Sequence, residues 1–199
     1  MNPIQIGQSY DRLADQWNSD EFNRSNGIEQ HKRAIAFVKE RSNALDVGCG
    51  SSGRFIDLLI DSGFQVEGID VSEQMIALAR QRHPDVLFYH EDFRIWDFPR
   101  KYDFITAWDS LWHLPLDDQE PALRKMCNGL TKGGVLVFTT GGLDGPDEKT
   151  DSAMGPPMYY SALGIPRTLE LVAQSGCVCK HLEYDQHPEL HLFIIAQKI

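Results

Sequence analysis

Short apolar runs alternate with amphipathic segments through the middle of the chain, and this alternation limits the possible fold more than any other feature. The runs at 43–47, 64–70 and 86–90 have the length and apolar content of buried strands. Between them, residues 52–61 repeat apolar side chains at helical spacing, and 72–84 begins with a serine suited to cap a helix and ends at a proline. Strands and helices that alternate in this way form a parallel sheet with right-handed crossovers.

The later part of the chain extends this sheet. Further elements follow in the order strand, helix, strand, and they cover 102–108, 118–130 and 134–140. Near the end, a helix closed by Gly176 precedes two apolar runs, 177–185 and 190–198, which a short turn joins, so we expect this last pair to be antiparallel. The sequence therefore predicts an α/β fold with a doubly wound, mostly parallel seven-stranded sheet and a C-terminal antiparallel hairpin.

Two segments lie outside the alternation. Residues 1–41 are predicted to form two helices, around 9–17 and 28–41, and we interpret them as an N-terminal lid. Residues 141–164 are rich in glycine and proline and form a longer connection than most, which is typical of a functional loop. We interpret this second segment as a loop on the substrate side of the site.

Composition narrows the classes of function. The 199 residues, 42% of them hydrophobic, suit a single domain with its core at 43–140 and a terminal helix and hairpin at 165–199. The net charge of -10 argues against a nucleic-acid partner and favours a small molecule. The four cysteines form no C-x-x-C pair and indicate reduced thiols, and no run approaches the roughly 18 apolar residues of a membrane span. We therefore expect a cytoplasmic protein.

A glycine-rich loop follows the first strand, where Gly48, Gly50 and Gly53 have the spacing G-x-G-x-x-G. Between a strand and a helix, such a loop lets the backbone approach a nucleotide-like ligand, the alternative being a purely structural tight turn. Asp70, at the end of the second strand, can accept hydrogen bonds from a ribose diol, which nicotinamide and adenosine ligands share. Asp46 distinguishes between these ligands, because its carboxylate would repel a pyrophosphate and attract an ammonium group. It could also accept hydrogen bonds from the amides of the loop.

Five stretches of the chain occur in the order and at the spacing of a known set of motifs. They are LDVGCGSSG, VEGIDVSEQMIALAR, HEDF, YDFITAWDSLWHL and LTKGGVLVF. Together they resemble the motifs of class I S-adenosylmethionine-dependent methyltransferases. The resemblance implies a Rossmann-like fold, S-adenosylmethionine as cofactor, S-adenosylhomocysteine as product and methyl transfer to a small-molecule acceptor. It implies a cofactor site made of Tyr10, Asp46, Gly48, Cys49, Gly50, Asp70, Val71, Met75, Asp92, Phe93 and Trp108.

The resemblance also implies which part of the cofactor each residue contacts. Asp46 and the glycines would line the methionine portion, and Asp70 would take the ribose hydroxyls. The adenine would lie between Val71 and Met75, with its exocyclic amine at Asp92. For Met75 the alternative is ordinary core packing, and for Asp92 it is a solvated position in a loop.

The segment after the fourth strand lies where the acceptor should arrive. His113 is the candidate general base because its ordinary pKa lies near neutrality, and Asp109 is the candidate to orient a cationic substrate. A structural or cofactor-contact role for the histidine and a turn cap for the aspartate are the alternatives. The stretch YDRLADQW resembles a segment that closes over the cofactor in small-molecule methyltransferases, which suggests an aromatic wall beside the sulfonium. The predicted substrate contacts are Trp17, Trp112, Tyr159 and Tyr160.

Two other classes of function remain open. One is a non-catalytic S-adenosylmethionine-binding regulatory subunit, and the other is an NAD-dependent oxidoreductase, against which Asp46 argues. A metal site is a separate alternative, because His187, Glu189 and His191 could project from one strand face as ligands. Pro188 interrupts that strand, so the sequence predicts no metal site there.

Overall fold

The apolar runs of the sequence form a seven-stranded sheet in the computed structural model, which describes residues 1–19 and 21–199. The strands of this sheet are β1 (Asn43–Val47), β2 (Gln65–Asp70), β3 (Leu87–His90), β4 (Tyr102–Ala107), β5 (Leu130–Gly141), β8 (Cys177–Tyr184) and β9 (His191–Lys198). Two further strands, β6 (Asp147–Asp151) and β7 (Met158–Ala162), form a separate two-stranded sheet. The main sheet has the order β3-β2-β1-β4-β5-β9-β8. Its first five strands are parallel, and β9 is antiparallel to both of its neighbours. The predicted fold class, including the C-terminal hairpin β8–β9, is confirmed.

Helices connect these strands. They are α1 (Pro3–Asp11), α2 (Ala14–Asn18), α3 (Ile28–Ile35), α4 (Arg54–Asp61), α5 (Glu73–Arg82), α6 (Leu116–Gly129) and α7 (Ile165–Gln174). A short 3-10 turn, Leu111–His113, follows β4. Across residues 1–19 and 21–199, no helix is both long enough and apolar enough to pass through a bilayer.

Side chains that alternate along β5 explain why helices cover both faces of the sheet. Leu136 and Phe138 belong to an apolar cluster with residues of α6 and α7, whereas Val135 and Val137 belong to a second cluster with residues of α3, α4 and α5. Complete burial of one aliphatic side chain stabilises the fold by about 1.5–3 kcal/mol. The two clusters hold the carboxyl ends of the parallel strands at one edge of the sheet.

The N-terminal segment differs from its prediction at both helices. The first predicted helix is in fact two, and α1 begins well before residue 9, because Asn2 caps it in a reciprocal pair of hydrogen bonds with Gln5, each of 2.9 Å. The second predicted helix stops at Ile35 instead of residue 41. Beyond it, the carbonyl of Phe37 accepts a hydrogen bond of 2.9 Å from the Gln197 side chain, which holds this stretch against β9. Residue 20 of the predicted lid lies outside the described residues.

Residues 141–164 also differ, because β6 and β7 within them form an antiparallel hairpin. The sequence of β6 is entirely polar and mostly exposed, so no alternation of apolar side chains reveals it. Met158 of β7 packs with Ile6 and Leu13. In addition, the Ser9 hydroxyl donates a hydrogen bond of 2.8 Å to the carbonyl of Pro157. The hairpin and the N-terminal helices are therefore in direct contact.

Candidate active site

A cavity of about 350 Å³ lies at the carboxyl ends of β1, β2 and β4. Val47, Asp70 and Ala107, at the ends of these strands, form part of its wall. This is the edge at which open α/β sheets bind their ligands. The N-terminal segment contributes Tyr10 and the β6–β7 hairpin contributes Tyr160, so both peripheral segments help to enclose the cavity.

Most of the residues predicted from the sequence lie together on this wall. They are Tyr10, Trp17, Gly48, Cys49, Gly50, Asp70, Val71, Met75, Asp92, Phe93, Trp108, Asp109, Trp112, His113 and Tyr160. Two predicted residues do not line the cavity. Asp46 is only 2% exposed, and burial raises its pKa to about 7. Tyr159 is buried in the hairpin, where its hydroxyl donates a hydrogen bond of 2.5 Å to Glu148.

The glycine loop is held tightly at Gly48. Its φ of +72° lies in the left-handed region that favours glycine. A Cβ atom at this position would lie 2.4 Å from Cβ of Ser110. Ser110 is itself fixed, because its hydroxyl donates a hydrogen bond of 2.9 Å to the carbonyl of Val47. The absence of a side chain therefore lets the loop pack against the turn after β4 while its backbone lines the cavity.

Asp70 connects the glycine loop to the N-terminus of α5. Its two carboxylate oxygens accept hydrogen bonds of 2.9 Å from the backbone amides of Gly50 and Ser72. Burial raises the pKa of Asp70, although these backbone hydrogen bonds oppose the shift. A carboxylate has about four acceptor positions, so capacity remains for a diol in the cavity.

Asp92 is held at the cavity by a neighbouring arginine. Arg94 donates to both of its oxygens, with a shortest distance of 2.7 Å, and also forms an ion pair of 2.6 Å with Asp118. Burial alone would raise the pKa of Asp92, but the hydrogen bonds from Arg94 outweigh it and lower the pKa. The result is an ionised acceptor in a fixed position.

His113 and Tyr10 form a buried hydrogen-bonded pair on the cavity wall. Nδ1 of His113 donates to the carbonyl of Tyr159 at 2.8 Å, which assigns the ring proton to Nδ1. Nε2 then accepts from the Tyr10 hydroxyl at 2.8 Å and from the Trp112 indole at 3.1 Å. Burial lowers the pKa of His113 to about 4 and raises that of Tyr10. The imidazole is therefore neutral at pH 7, and it orients the tyrosine hydroxyl.

Asp109 is a fixed carboxylate on the same wall. Its φ of +55° is uncommon for a residue other than glycine, and its amide donates to the Thr139 hydroxyl at 2.8 Å. Oδ1 accepts from Nε2 of His191 at 2.9 Å, and Nδ1 of that histidine donates to Asp185 at 2.5 Å. Burial would lower the pKa of His191, but the two carboxylates outweigh it and raise the pKa. The two hydrogen bonds to carboxylates thus stabilise the protonated ring relative to a free imidazole.

The three residues considered as metal ligands do not come together. His187 and Glu189 are exposed in the turn between β8 and β9, and His191 is bonded to the two carboxylates instead. Among residues 1–19 and 21–199, no group of three histidine, cysteine or acidic side chains could hold a metal ion.

Sequence reasoning missed Arg54, which lies on the cavity wall. Its side chain is 9% exposed, and the guanidinium carbon lies 5.0 Å from the ring centroid of Phe22 and 4.4 Å from that of Phe55. One sequence feature could have indicated Arg54. The residue directly follows Gly53, the last glycine of the loop, and is the first residue of α4. It could have been included in the site from that position.

Comparisons with known proteins find relatives of this chain by sequence and by structure. A sequence model described as a methyltransferase domain matches residues 44–134. A dTDP-3-amino-3,6-dideoxy-alpha-D-glucopyranose N,N-dimethyltransferase of Streptomyces fradiae is 32% identical over 127 residues, or 59% of this chain and 49% of that protein. An uncharacterized methyltransferase of Bacillus cytotoxicus is 30% identical over 145 residues, or 67% of this chain and 68% of that protein. The chain thus spans about half the length of the Streptomyces relative.

Solved structures share the fold. An amino pentose methyltransferase of Micromonospora echinaspora, solved with S-adenosylmethionine bound, has a TM-score of 0.68 and 20% identity, and the match covers 93% of this chain and 95% of that one. The likeness confirms the Rossmann-like fold. These comparisons support neither a regulatory subunit nor an oxidoreductase.

Proposed function

Because the chain belongs to the class I S-adenosylmethionine-dependent methyltransferases, we propose that it transfers a methyl group to an amino group of a small molecule. The observation that carries the proposal is a single cavity on whose wall the glycine loop, Asp70 and the Tyr10–His113 pair all lie. The choice of an amine is supported by the Streptomyces and Micromonospora enzymes, which are named for an amino sugar and an amino pentose.

The wall of the cavity fits this cofactor. Gly50 lines the cavity, and an added Cβ there would meet nothing within 4 Å, so a ligand can approach the backbone of the loop closely. Asp70 keeps free acceptor capacity for ribose hydroxyls. Tyr10 and Trp17 pack edge to face with ring centroids 5.9 Å apart, and aromatic faces attract a positive sulfonium. When bound, S-adenosylmethionine supplies an electrophilic methyl group, so no covalent enzyme intermediate is needed.

The residues of this chain then have three tasks: to position the acceptor, to exclude water and to accept a proton. The Tyr10 oxygen can accept a hydrogen bond from the attacking amine while its own hydrogen is bonded to Nε2 of His113. As the amine loses its proton, that proton moves to the tyrosine oxygen and the tyrosine proton moves to Nε2. A pKa of about 4 makes His113 a weak proton store, so its larger contribution is to orient Tyr10.

We propose that residues 1–41 and 141–164 serve as a lid and a substrate-side segment of one domain. The apolar cluster of Ile6, Leu13 and Met158, together with the Ser9–Pro157 hydrogen bond, supports a coupled movement of the two segments. Separation of these contacts would widen access to the cavity. The four free cysteines support a cytoplasmic location.

The direct test is turnover of the full chain with S-adenosylmethionine and a panel of acceptors. The panel contains amino sugars, small primary amines and analogues in which a hydroxyl replaces the amine, and S-adenosylhomocysteine formation is measured. We expect product with an amine and none with its hydroxyl analogue. Product from hydroxyl or thiol acceptors alone would contradict the amine proposal. Tight cofactor binding without any turnover would favour a regulatory subunit.

A further inference from the structure

Among residues 1–19 and 21–199, the guanidinium of Arg54 has no carboxylate oxygen closer than 4.0 Å, although its side chain is only 9% exposed. Its Nε atom is inaccessible and lacks a hydrogen-bond partner among residues 1–19 and 21–199. Within the described part of the chain, the carboxylate oxygen at that distance is Oδ2 of Asp109, which lies 4.0 Å from Nη2 of Arg54. Burial lowers the pKa of Arg54, and the charges of Asp109 and Asp46 oppose this shift. Because a buried charge is costly without hydrogen bonds, this arrangement is typical of a site completed by an anionic ligand.

Asp109 does not reach hydrogen-bond distance of Arg54, because its Oδ2 lies 4.0 Å from Nη2 of the arginine while its Oδ1 is held elsewhere. Oδ1 accepts the hydrogen bond from His191, and the backbone of Asp109 is fixed by Thr139. A proton on His191 would also reduce the negative charge that Asp109 presents to the cavity. A second carboxylate could therefore approach Arg54 with less repulsion than beside a bare aspartate.

Two aromatic rings hold the arginine in a defined orientation. The guanidinium carbon lies 4.4 Å from the ring centroid of Phe55 and 5.0 Å from that of Phe22. Such contacts stabilise the cation without using its N–H groups. Arginine binds carboxylates through two parallel N–H donors in a fixed plane. In the part of the chain that the structure describes, Nε of Arg54 has no acceptor, and Nη2 has Asp109 only at 4.0 Å.

The position of Arg54 indicates the source of the anion. It follows Gly53 directly and lines the same cavity as Gly48 and Gly50, the glycines assigned to the methionine portion of the cofactor. We propose that Arg54 binds the α-carboxylate of that methionine portion. This inference rests on the proposed function, because it requires S-adenosylmethionine to occupy the cavity.

The test compares S-adenosylmethionine with its decarboxylated form, which lacks only the carboxylate. Calorimetric affinities are measured for the full-length wild type and for Arg54→Gln. We expect the wild type to prefer S-adenosylmethionine by about 10-fold or more, since hydrogen bonds to charged groups contribute about 1.5–3 kcal/mol. The variant should bind the two ligands with equal affinity, and it should bind the decarboxylated form as the wild type does. The preference is a ratio of two affinities measured on the same protein. A partial loss of folded protein affects both affinities equally and does not change that ratio.

Arg24→Gln is the matched control. The charge of Arg24 acts on Arg54, but Arg24 donates to the carbonyl of Ser52 at 2.6 Å and does not line the cavity. Its variant should therefore keep the wild-type preference. Arg54→Lys keeps the charge but loses the two parallel N–H donors of the guanidinium, so it should have an intermediate preference for S-adenosylmethionine. It replaces Arg54→Gln if the glutamine variant does not fold.

Three results would overturn the inference. In the first, Arg54→Gln keeps the full preference for S-adenosylmethionine. In the second, it lowers the affinities for both ligands by the same factor. In the third, it leaves both affinities unchanged and raises KM only for acceptors that carry a carboxylate. The last result would assign the anion to the acceptor. Failure of the wild type to bind either ligand would instead contradict the proposed function, so the two failures are distinguishable.

Discussion

Replacing Gly48 with alanine is expected to weaken S-adenosylhomocysteine binding by at least 100-fold. The new Cβ would lie 2.4 Å from Cβ of Ser110, and no rotation of side chains can relieve a clash between two Cβ atoms. The φ of +72° adds about 1–2 kcal/mol for a residue with a side chain. Overpacking costs about 1–3 kcal/mol more unless the loop moves. Movement of the loop relieves the clash but removes the backbone surface that faces the ligand.

Gly133→Ala is the control for the backbone effect. Gly133 has a φ of +82°, and an added Cβ there would meet nothing within 4 Å. This variant should lose about 1–2 kcal/mol of unfolding free energy and bind as the wild type does. Calorimetry measures ligand affinity and thermal unfolding measures stability for both variants. The comparison separates the backbone strain, which both variants share, from the clash with Ser110, which only Gly48→Ala has. Wild-type affinity in a folded Gly48→Ala protein would remove the loop from the cofactor site.

Loss of the His113 side chain is expected to lower kcat by about 100-fold, because a misplacement of about 1 Å in a positioned group can cost about that much. His113→Ala removes the acceptor that orients the Tyr10 hydroxyl, and Tyr10→Phe removes the hydroxyl itself. Both variants should therefore have similar reductions in kcat. Their affinities for S-adenosylhomocysteine should remain within about threefold of the wild type. Tyr10→Phe retains the aromatic ring on the cavity wall, and His113→Ala retains the whole of Tyr10. Steady-state kinetics and calorimetry provide the two readouts.

Tyr184→Phe is the matched control, because it removes a hydroxyl bonded to the carbonyl of Gly142, away from the cavity. Its kcat should be that of the wild type. The pH profile adds a second readout. With a pKa of about 4, His113 stays neutral from pH 8 to about pH 5, and protonation removes its acceptor only as pH falls through about 4. Equal losses in kcat and affinity, or a His113-dependent decline near pH 6.5, would contradict this role.

The fold followed from local pattern to a large extent. The apolar run at 43–47 is β1 to the residue, and Ser72 caps α5 as expected, because both depend on side chains adjacent in sequence. The hairpin at β6 was missed, since its strand is polar and owes its position to β7. The early start of α1 was missed although its signal, Asn2 before Pro3, is local.

The site was predictable where a motif marks the residue and not where tertiary contacts define it. Gly48 and Asp70 belong to recognisable spacings and lie on the cavity wall. The hydrogen bond between His191 and Asp109 joins residues that are 82 positions apart in the sequence, so no local pattern could indicate it. The burial of Arg54 depends on Phe22, from the N-terminal segment, which no periodicity connects with the glycine loop.

Parallel calorimetric titrations with S-adenosylmethionine, S-adenosylhomocysteine and NAD test the central claim most directly. The cavity at the carboxyl ends of β1, β2 and β4 is expected to bind both sulfur-containing ligands with roughly micromolar Kd, or about −8 kcal/mol. NAD should not bind, because its pyrophosphate would lie against the glycine loop, where the Gly50 amide already donates to Asp70 and where the carboxylates of Asp70 and Asp109 line the wall. Binding of NAD alone, or of none of the three ligands, would contradict the account of this cavity as an S-adenosylmethionine site.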